Sequence, residues 1–95
     1  MSTVFLNGAF VPKAQATISV DDRGFLLGDG VYEVTPFYEG VPFGLDRHLA
    51  RLEKGLAWIR IDYDVSSLEE MHRSLIRQNG LEGADRSMIY MQITR

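Results

Sequence analysis

The residues of this sequence that could do chemistry are few and lie in three short stretches. Tyr32 directly follows the turn Gly28-Asp29-Gly30 and opens a β-prone run. A phenol there can donate a hydrogen bond to a ligand while its ring packs, or it can be a core tyrosine with a satisfied hydroxyl. Glu33 points to the other side of that run, as a solvated strand residue or as an ion-pair partner. Arg51 lies in a predicted helix, roughly a quarter-turn or more from its leucine stripe at ~100° per residue, and Arg47 lies farther round. That period alone places both on a solvated face. Arg95 shares a strand parity with Ile89, Met91 and Ile93. Burying a guanidinium there unpaired is costly, so it either meets an anion such as a carboxylate or turns into solvent.

Other chemistries are excluded by what is missing. The sequence has no Cys, which removes a disulfide scaffold, and two histidines, His48 and His72, in different predicted helices, which make no metal-ligand cluster. Surface or partly buried histidines are the plainer reading. Gly28-Asp29-Gly30 has two glycines and precedes a strand rather than a helix, the wrong context for a dinucleotide loop. No nucleophile-elbow motif supports Ser-His-Asp catalysis.

Composition narrows the class further. The 95 residues carry 13 acidic and 10 basic side chains, a net charge of −3, and 45% are hydrophobic. Such a chain can bury a core, and without a basic run it is a poor polyanion binder. No stretch approaches the ~18 apolar residues of a membrane span, and no positive region followed by a long apolar run marks a signal peptide. A cytoplasmic protein without nucleic-acid or membrane partners is expected. The size suits one domain.

The elements that must position these residues can be read in order. Asn7-Gly8 between Thr3–Leu6 and Ala9–Val11 predicts a β-hairpin with a type I′ turn. Thr17–Val20 reads as a short β-prone run. Val31–Tyr38 reads as a strand with Tyr32, Val34, Pro36 and Tyr38 on one face and Val31, Glu33, Thr35 and Phe37 on the other. Neither face is cleanly polar, so both are expected to be covered. Pro36 suggests an edge or a bulge. Glu39-Gly40 turns the chain into a return strand over Val41–Gly44. Asp46 is the expected N-cap of a helix through about Ile59, with Leu45, Leu49, Leu52, Leu56 and Ile59 as its stripe. A second helix begins near Ser66 or Ser67, each followed three residues later by glutamate, and buries Leu68, Met71, Leu75 and Ile76. Gly80 fits its C′ position, and a final strand runs to Arg95. Strands, two helices and a strand predict an α+β domain with a mainly antiparallel sheet. The last run, Met88–Arg95, reads as a strand cut in mid-run, so the chain is expected to be a piece of something longer.

Three motifs, in this order, carry a family resemblance. Asp22-Arg23-Gly24-Phe25-Leu26-Leu27-Gly28-Asp29-Gly30-Val31-Tyr32-Glu33-Val34 is similar to the N-terminal signature of the fold-type IV aminotransferases, which use pyridoxal 5′-phosphate. His48-Leu49-Ala50-Arg51-Leu52 resembles that family's helix motif, and Tyr90-Met91-Gln92-Ile93-Thr94-Arg95 its later strand. Gly-Val-Tyr-Glu-Val and Gln-Ile-Thr-Arg most resemble the D-amino acid aminotransferases of the family. Branched-chain members usually have Phe-Glu-Gly at that place. Aminodeoxychorismate lyases and (R)-selective amine transaminases share the fold.

The resemblance implies roles. Arg51 would bind the cofactor phosphate. Tyr32 would line the substrate site near the α-carboxylate, Val34 would help form a side-chain pocket, and Arg95 would belong to a carboxylate trap assembled across a homodimer interface. Tyr32, Arg51 and Arg95 should then converge on one concave region. No role is assigned to Glu33. The family's Schiff-base lysine lies beyond residue 95, in a larger C-terminal domain, and Lys13 and Lys54 do not lie in its context. No catalytic residue is therefore expected here, and the chain alone should be inactive, with no cofactor bound covalently. The parent would transfer an amino group between an amino acid, of D configuration, and a 2-oxo acid. A non-catalytic dimerisation or anion-binding module is the alternative from another class.

Overall fold

The computed structural model describes residues 2–95. Two turns work as their residues predict. Asn7 and Gly8 take φ of 51° and 87°, and Glu39 and Gly40 take 51° and 79°, the positive angles of type I′ hairpins. The first joins β1 (Thr3–Leu6) to β2 (Ala9–Pro12) as a separate two-stranded sheet. The second joins β3 (Gly30–Tyr38) to β4 (Val41–Pro42). A nine-residue strand, β5 (Arg86–Thr94), lies antiparallel on the other side of β3, from Gly30↔Thr94 to Tyr38↔Arg86, giving the order β4-β3-β5.

The helices α2 (Leu45–Trp58) and α3 (Leu68–Gln78) cover one face of this sheet. Leu52, Leu56, Leu68, Met71 and Met91 form one buried cluster, and Phe37, Ile76 and Ile89 form another. These come from the leucine stripe, the predicted buried face of α3 and the inward parity of β3 and β5. The hairpin is tied to the end of α3 by Asn79, whose Oδ1 accepts from Thr3 N and whose Nδ2 donates to Thr3 O, both at 2.9 Å.

Several local expectations are corrected. Gly44, not Asp46, holds the N-cap of α2, in a left-handed conformation, and Asp46 sits in the first turn. No serine side chain caps α3: Ser67 is its N-cap without a side-chain bond, and Ser66 N instead meets Asp64 Oδ1 at 2.9 Å. Thr17–Val20 forms no strand. The return strand is two residues rather than four. A short helix, α1 (Arg23–Leu27), precedes the Gly28-Asp29-Gly30 turn, where the sequence offers no helical period. Its N-cap Asp22 accepts from Gly24 N at 2.8 Å, and it ends on Gly28 in the left-handed region. Pro36 makes no bulge, since its register with Met88 is regular. Its carbonyl accepts from Phe43 N at 2.9 Å, so its backbone faces the β4 side and no bond to β5 is lost.

That last detail shapes the molecule's open edge. In an antiparallel ladder, backbone groups alternate sides, so those of Val34 and Tyr32 face the same edge as Pro36. Because β4 is only two residues long, it leaves this part of β3 uncovered. The sheet face away from the helices is also open and apolar: Tyr32, Tyr38, Met88 and Tyr90 are all exposed on it.

Candidate functional site

Glu33 is the centre of the site. It lies on the helix-facing parity of β3 and is 6% exposed. A carboxylate that deep must be paired. Two α2 side chains three positions apart, hence on one helix face, supply the partners. His48 Nδ1 meets Glu33 Oε1 at 2.7 Å. Arg51 Nε donates to Oε2 and Arg51 Nη2 to Oε1, each at 2.8 Å. An ionised carboxylate only accepts, so the His48 proton sits on Nδ1. The Arg51 guanidinium, helped by His48, holds the Glu33 carboxyl below its ordinary range against the opposing effect of burial. Glu33 in turn raises Arg51. Of the two alternatives open in the sequence, Glu33 is the ion-pair partner.

The pairing leaves Arg51 half used. Glu33 occupies its Nε/Nη2 edge. Nη1 has no hydrogen-bond partner among the described residues, and the side chain is 71% exposed. The Nη1/Nη2 edge is therefore turned outward with its orientation fixed, which suits a bidentate grip on an oxyanion.

Arg51 borders a shallow cleft of about 320 Å³ between β3 and α2, lined by Gly30, Val31, Tyr32, Glu33, Leu52 and Gly55 besides itself. Tyr32 borders it where the edge of β3 is uncovered, while its ring lies on the sheet face away from the helices. It is not a core tyrosine: it is 63% exposed and stacks on Tyr90, with ring centroids 5.7 Å apart. Val34 lies one step along the same face, half-buried. The start of β3 is held close to β5 because residue 30 lacks a side chain. A Cβ there would stand 2.6 Å from the Ile93 carbonyl oxygen. The cleft and the fixed cation at its border can take an anionic guest.

Arg95 is placed elsewhere. Its Nε donates to Asp29 Oδ2 at 2.8 Å, its Nη1 to Arg60 O at 3.4 Å and its Nη2 to Ile59 O. Each of its three nitrogens is thus engaged within the chain. Tyr32 and Arg51 both border the cleft, and Arg95 does not line it. Asp29, in the Gly28-Asp29-Gly30 turn, also accepts from Arg23 Nε at 3.1 Å. Arg95 and then Arg23 pull its carboxyl below the ordinary range. Its signal in the sequence is weak, since the two arginines lie six residues before it and 66 after it.

His72 departs from the surface reading. It is fully buried on α3 against the Phe37 ring, with Nδ1 on Leu68 O at 2.7 Å and Nε2 without a partner among the described residues. Burial depresses its basicity. Lys13 and Lys54 are exposed and do not line the cleft.

Comparison with known proteins bears on this geometry. The profile of the amino-transferase class IV family matches residues 30–95, a span that holds β3, α2 and β5. A D-alanine aminotransferase of Staphylococcus aureus (strain N315) is 40% identical over 98 residues, covering all of this chain and 33% of the relative. The 4-amino-4-deoxychorismate lyase of Pseudomonas aeruginosa superposes with a TM-score of 0.67 at 35% identity, over 84% of this chain and 28% of that one. The branched-chain aminotransferase of Thermoproteus uzoniensis superposes with a TM-score of 0.76 at 25% identity, over 96% and 31%. The chain spans about one third of the length of the curated relatives it matches.

Proposed function

The chain belongs to the class IV aminotransferases, and from that premise we propose that it is the small N-terminal domain of an enzyme that uses pyridoxal 5′-phosphate to move an amino group between an amino acid and a 2-oxo acid. D-alanine is the proposed amino donor, after the names of the relatives that match the whole chain. The observation that carries this reading is the Arg51 guanidinium, fixed by Glu33 along one edge and open along the other, beside Tyr32.

The donor set fits the cofactor's phosphate. A dianion needs an outward cation that does not have to reorganise, and the Glu33 pair provides one. When bound, pyridoxal phosphate supplies an electron-withdrawing ring that acidifies the substrate's α-carbon. The residues here do the holding. Arg51 would anchor the phosphate, and His48 would keep Glu33 ionised and in register. Tyr32 would donate its hydroxyl toward the substrate carboxylate, and Val34 would shape the side-chain pocket. Arg95 reaches a substrate carboxylate only by leaving Asp29 and the end of α2, so the carboxylate trap is better supported without it.

The reactive lysine and the partner of the ring nitrogen are proposed to lie in a larger C-terminal domain. The open apolar face of the sheet, with Tyr32, Met88 and Tyr90 exposed, supports a covering partner of that kind. The complete enzyme is proposed to be a cytoplasmic homodimer, and these 95 residues alone inactive. Reading the gene past the Arg95 codon tests this first: a continuing frame with a later lysine is expected, and an immediate stop codon would favour a binding module. Expression of the complete frame should then give transfer from D-alanine to a 2-oxo acid. The likeness to the lyase makes aminodeoxychorismate cleavage the competing activity, and turnover of that substrate without transamination would replace the assignment.

A further inference from the structure

Glu33 joins β3 to α2 at one end of the cleft. A second connection, through Asp29 and Arg95, joins them at the other end. We propose that Asp29 is a positioning residue, acting through Arg95, which it holds as a strut between the turn before β3 and the C-terminal end of α2. This rests on the proposed reading only in taking the cleft as an anion site.

Asp29 grips Arg95 twice. Its Oδ2 accepts the Arg95 Nε at 2.8 Å, and its backbone oxygen accepts the Arg95 N at 3.1 Å. The Arg23 Nε, at 3.1 Å on the same Oδ2, ties α1 to the same carboxylate. With its Nε so fixed, the guanidinium extends to the carbonyls of Ile59 and Arg60. These follow the last turn of α2, where carbonyls lack intrahelical partners and the helix dipole favours a cation. The chain leaves the helix there through Arg60 at φ 58°, a left-handed conformation that a non-glycine residue needs a reason to keep.

The two connections bracket the cleft. Between them, Gly55 of α2 lies so near Val31 of β3 that a Cβ on it would be 3.1 Å from Val31 Cγ1. Leu52 and Leu56 hold the middle of α2 in the core, and the two connections set how its ends lie on β3. If the far end were released, α2 would shift about its Glu33 end and change the width of the cleft that Tyr32 and Arg51 border. Only arginine suits the strut, because one planar group must reach a carboxylate and two carbonyls at once, whereas lysine has a single nitrogen.

The test uses this chain, isotopically labelled, with inorganic phosphate as the probe. Three variants are compared with it: Arg95→Lys, Asp29→Asn and the charge-conserving Asp29→Glu. The first readout is the nuclear Overhauser contact between the Gly55 α-protons and the Val31 methyls, which needs no ligand. The second is phosphate affinity, followed on the Arg51 Nε–Hε signal. The Lys and Asn variants should weaken the contact and lower phosphate affinity about 3- to 10-fold while keeping the dispersed amide signals of α2 and β5, and Asp29→Glu should recover most of both. The inference is overturned if the contact persists in Arg95→Lys and Asp29→Asn, or if both bind phosphate as the unaltered chain does. A phosphate response absent at Arg51 in the unaltered chain would count against the anion-site reading instead, and the Gly55–Val31 contact would then decide the strut alone.

Discussion

Glu33 and Arg51 meet through two hydrogen bonds of 2.8 Å although one residue is buried and the other lies mostly in solvent. The pair therefore works in one direction. The strand anchors a carboxylate inside the fold, and the carboxylate orients a cation on the surface. Pairs of exposed charges contribute little because both side chains must be ordered. Here the carboxylate is already ordered by burial and by His48, so the pair acts mainly to fix where the guanidinium points.

Glu33→Gln should lower stability by about 1–3 kcal/mol, because charge-assisted hydrogen bonds are lost and the new amide brings N–H groups toward Nδ1–H of His48 and the Arg51 donors. Urea unfolding measures it. A change within about 0.5 kcal/mol would mean that the buried carboxylate is not held by its partners.

The response to acid should come in two stages. His72 is buried and its basicity is depressed, so below the ordinary imidazole value of about 6.5 the unfolded chain takes up a proton that the folded chain refuses. Stability falls from there as pH drops toward the lowered folded value. Glu33 and Asp29 are depressed carboxyls, so their contribution is complete above about 4.5 and is lost as pH falls through their folded values. Denaturation at about pH 7.5, 5.5 and 3.5 separates the stages, since His72→Leu should flatten the first interval and leave the second. An unchanged slope in that variant would contradict the assignment.

Much of this was legible in the sequence where the residues themselves carry the instruction. Asn7-Gly8 and Glu39-Gly40 set their own turns, and the parity of Val31–Tyr38 put Glu33 on the same side as Phe37, which is in the core. What could not be read were relations between distant segments. Whether Glu33 was solvated or paired depended on how α2 lies across β3, and periodicity in α2 placed Arg51 on a solvated face without showing that its inner edge would be taken. Arg95 shared a parity with apolar residues, as read, but its partners were Asp29 and the end of α2 rather than an external anion. Asp46 and Ser66 are good caps in isolation, yet Gly44 reached the left-handed angle that starts α2, and the Asp64 turn took the Ser66 N–H. Helix α1 has five residues with a glycine among them, too short for any period.

Close approach at residue 30 gives a further expectation. Gly30→Ala would press a methyl group onto the Ile93 carbonyl oxygen, a backbone atom that cannot step aside alone. The β3–β5 ladder should open at that end, at a cost of about 1–3 kcal/mol. Hydrogen exchange at Val31 and Ile93 should accelerate before that at Phe37. Uniform protection along the ladder would argue against it.

The open sheet face should make this chain self-associate. Tyr32, Met88 and Tyr90 form a contiguous exposed apolar patch, and such patches seek cover. Sedimentation velocity at rising concentration should show larger species, reduced in Met88→Lys. A monomer at all concentrations would show that the face is tolerated bare.

If the outward edge of Arg51 holds the phosphate of the cofactor, removing that side chain should weaken only the phosphorylated ligand. The direct measurement is the affinity of the complete reading frame's product for pyridoxal phosphate and for pyridoxal, which lacks the phosphate, with and without Arg51→Ala. A loss of at least about tenfold is expected for pyridoxal phosphate, in line with one charge-assisted bidentate contact, and little change for pyridoxal. Equal losses for both ligands, or none for either, would contradict it.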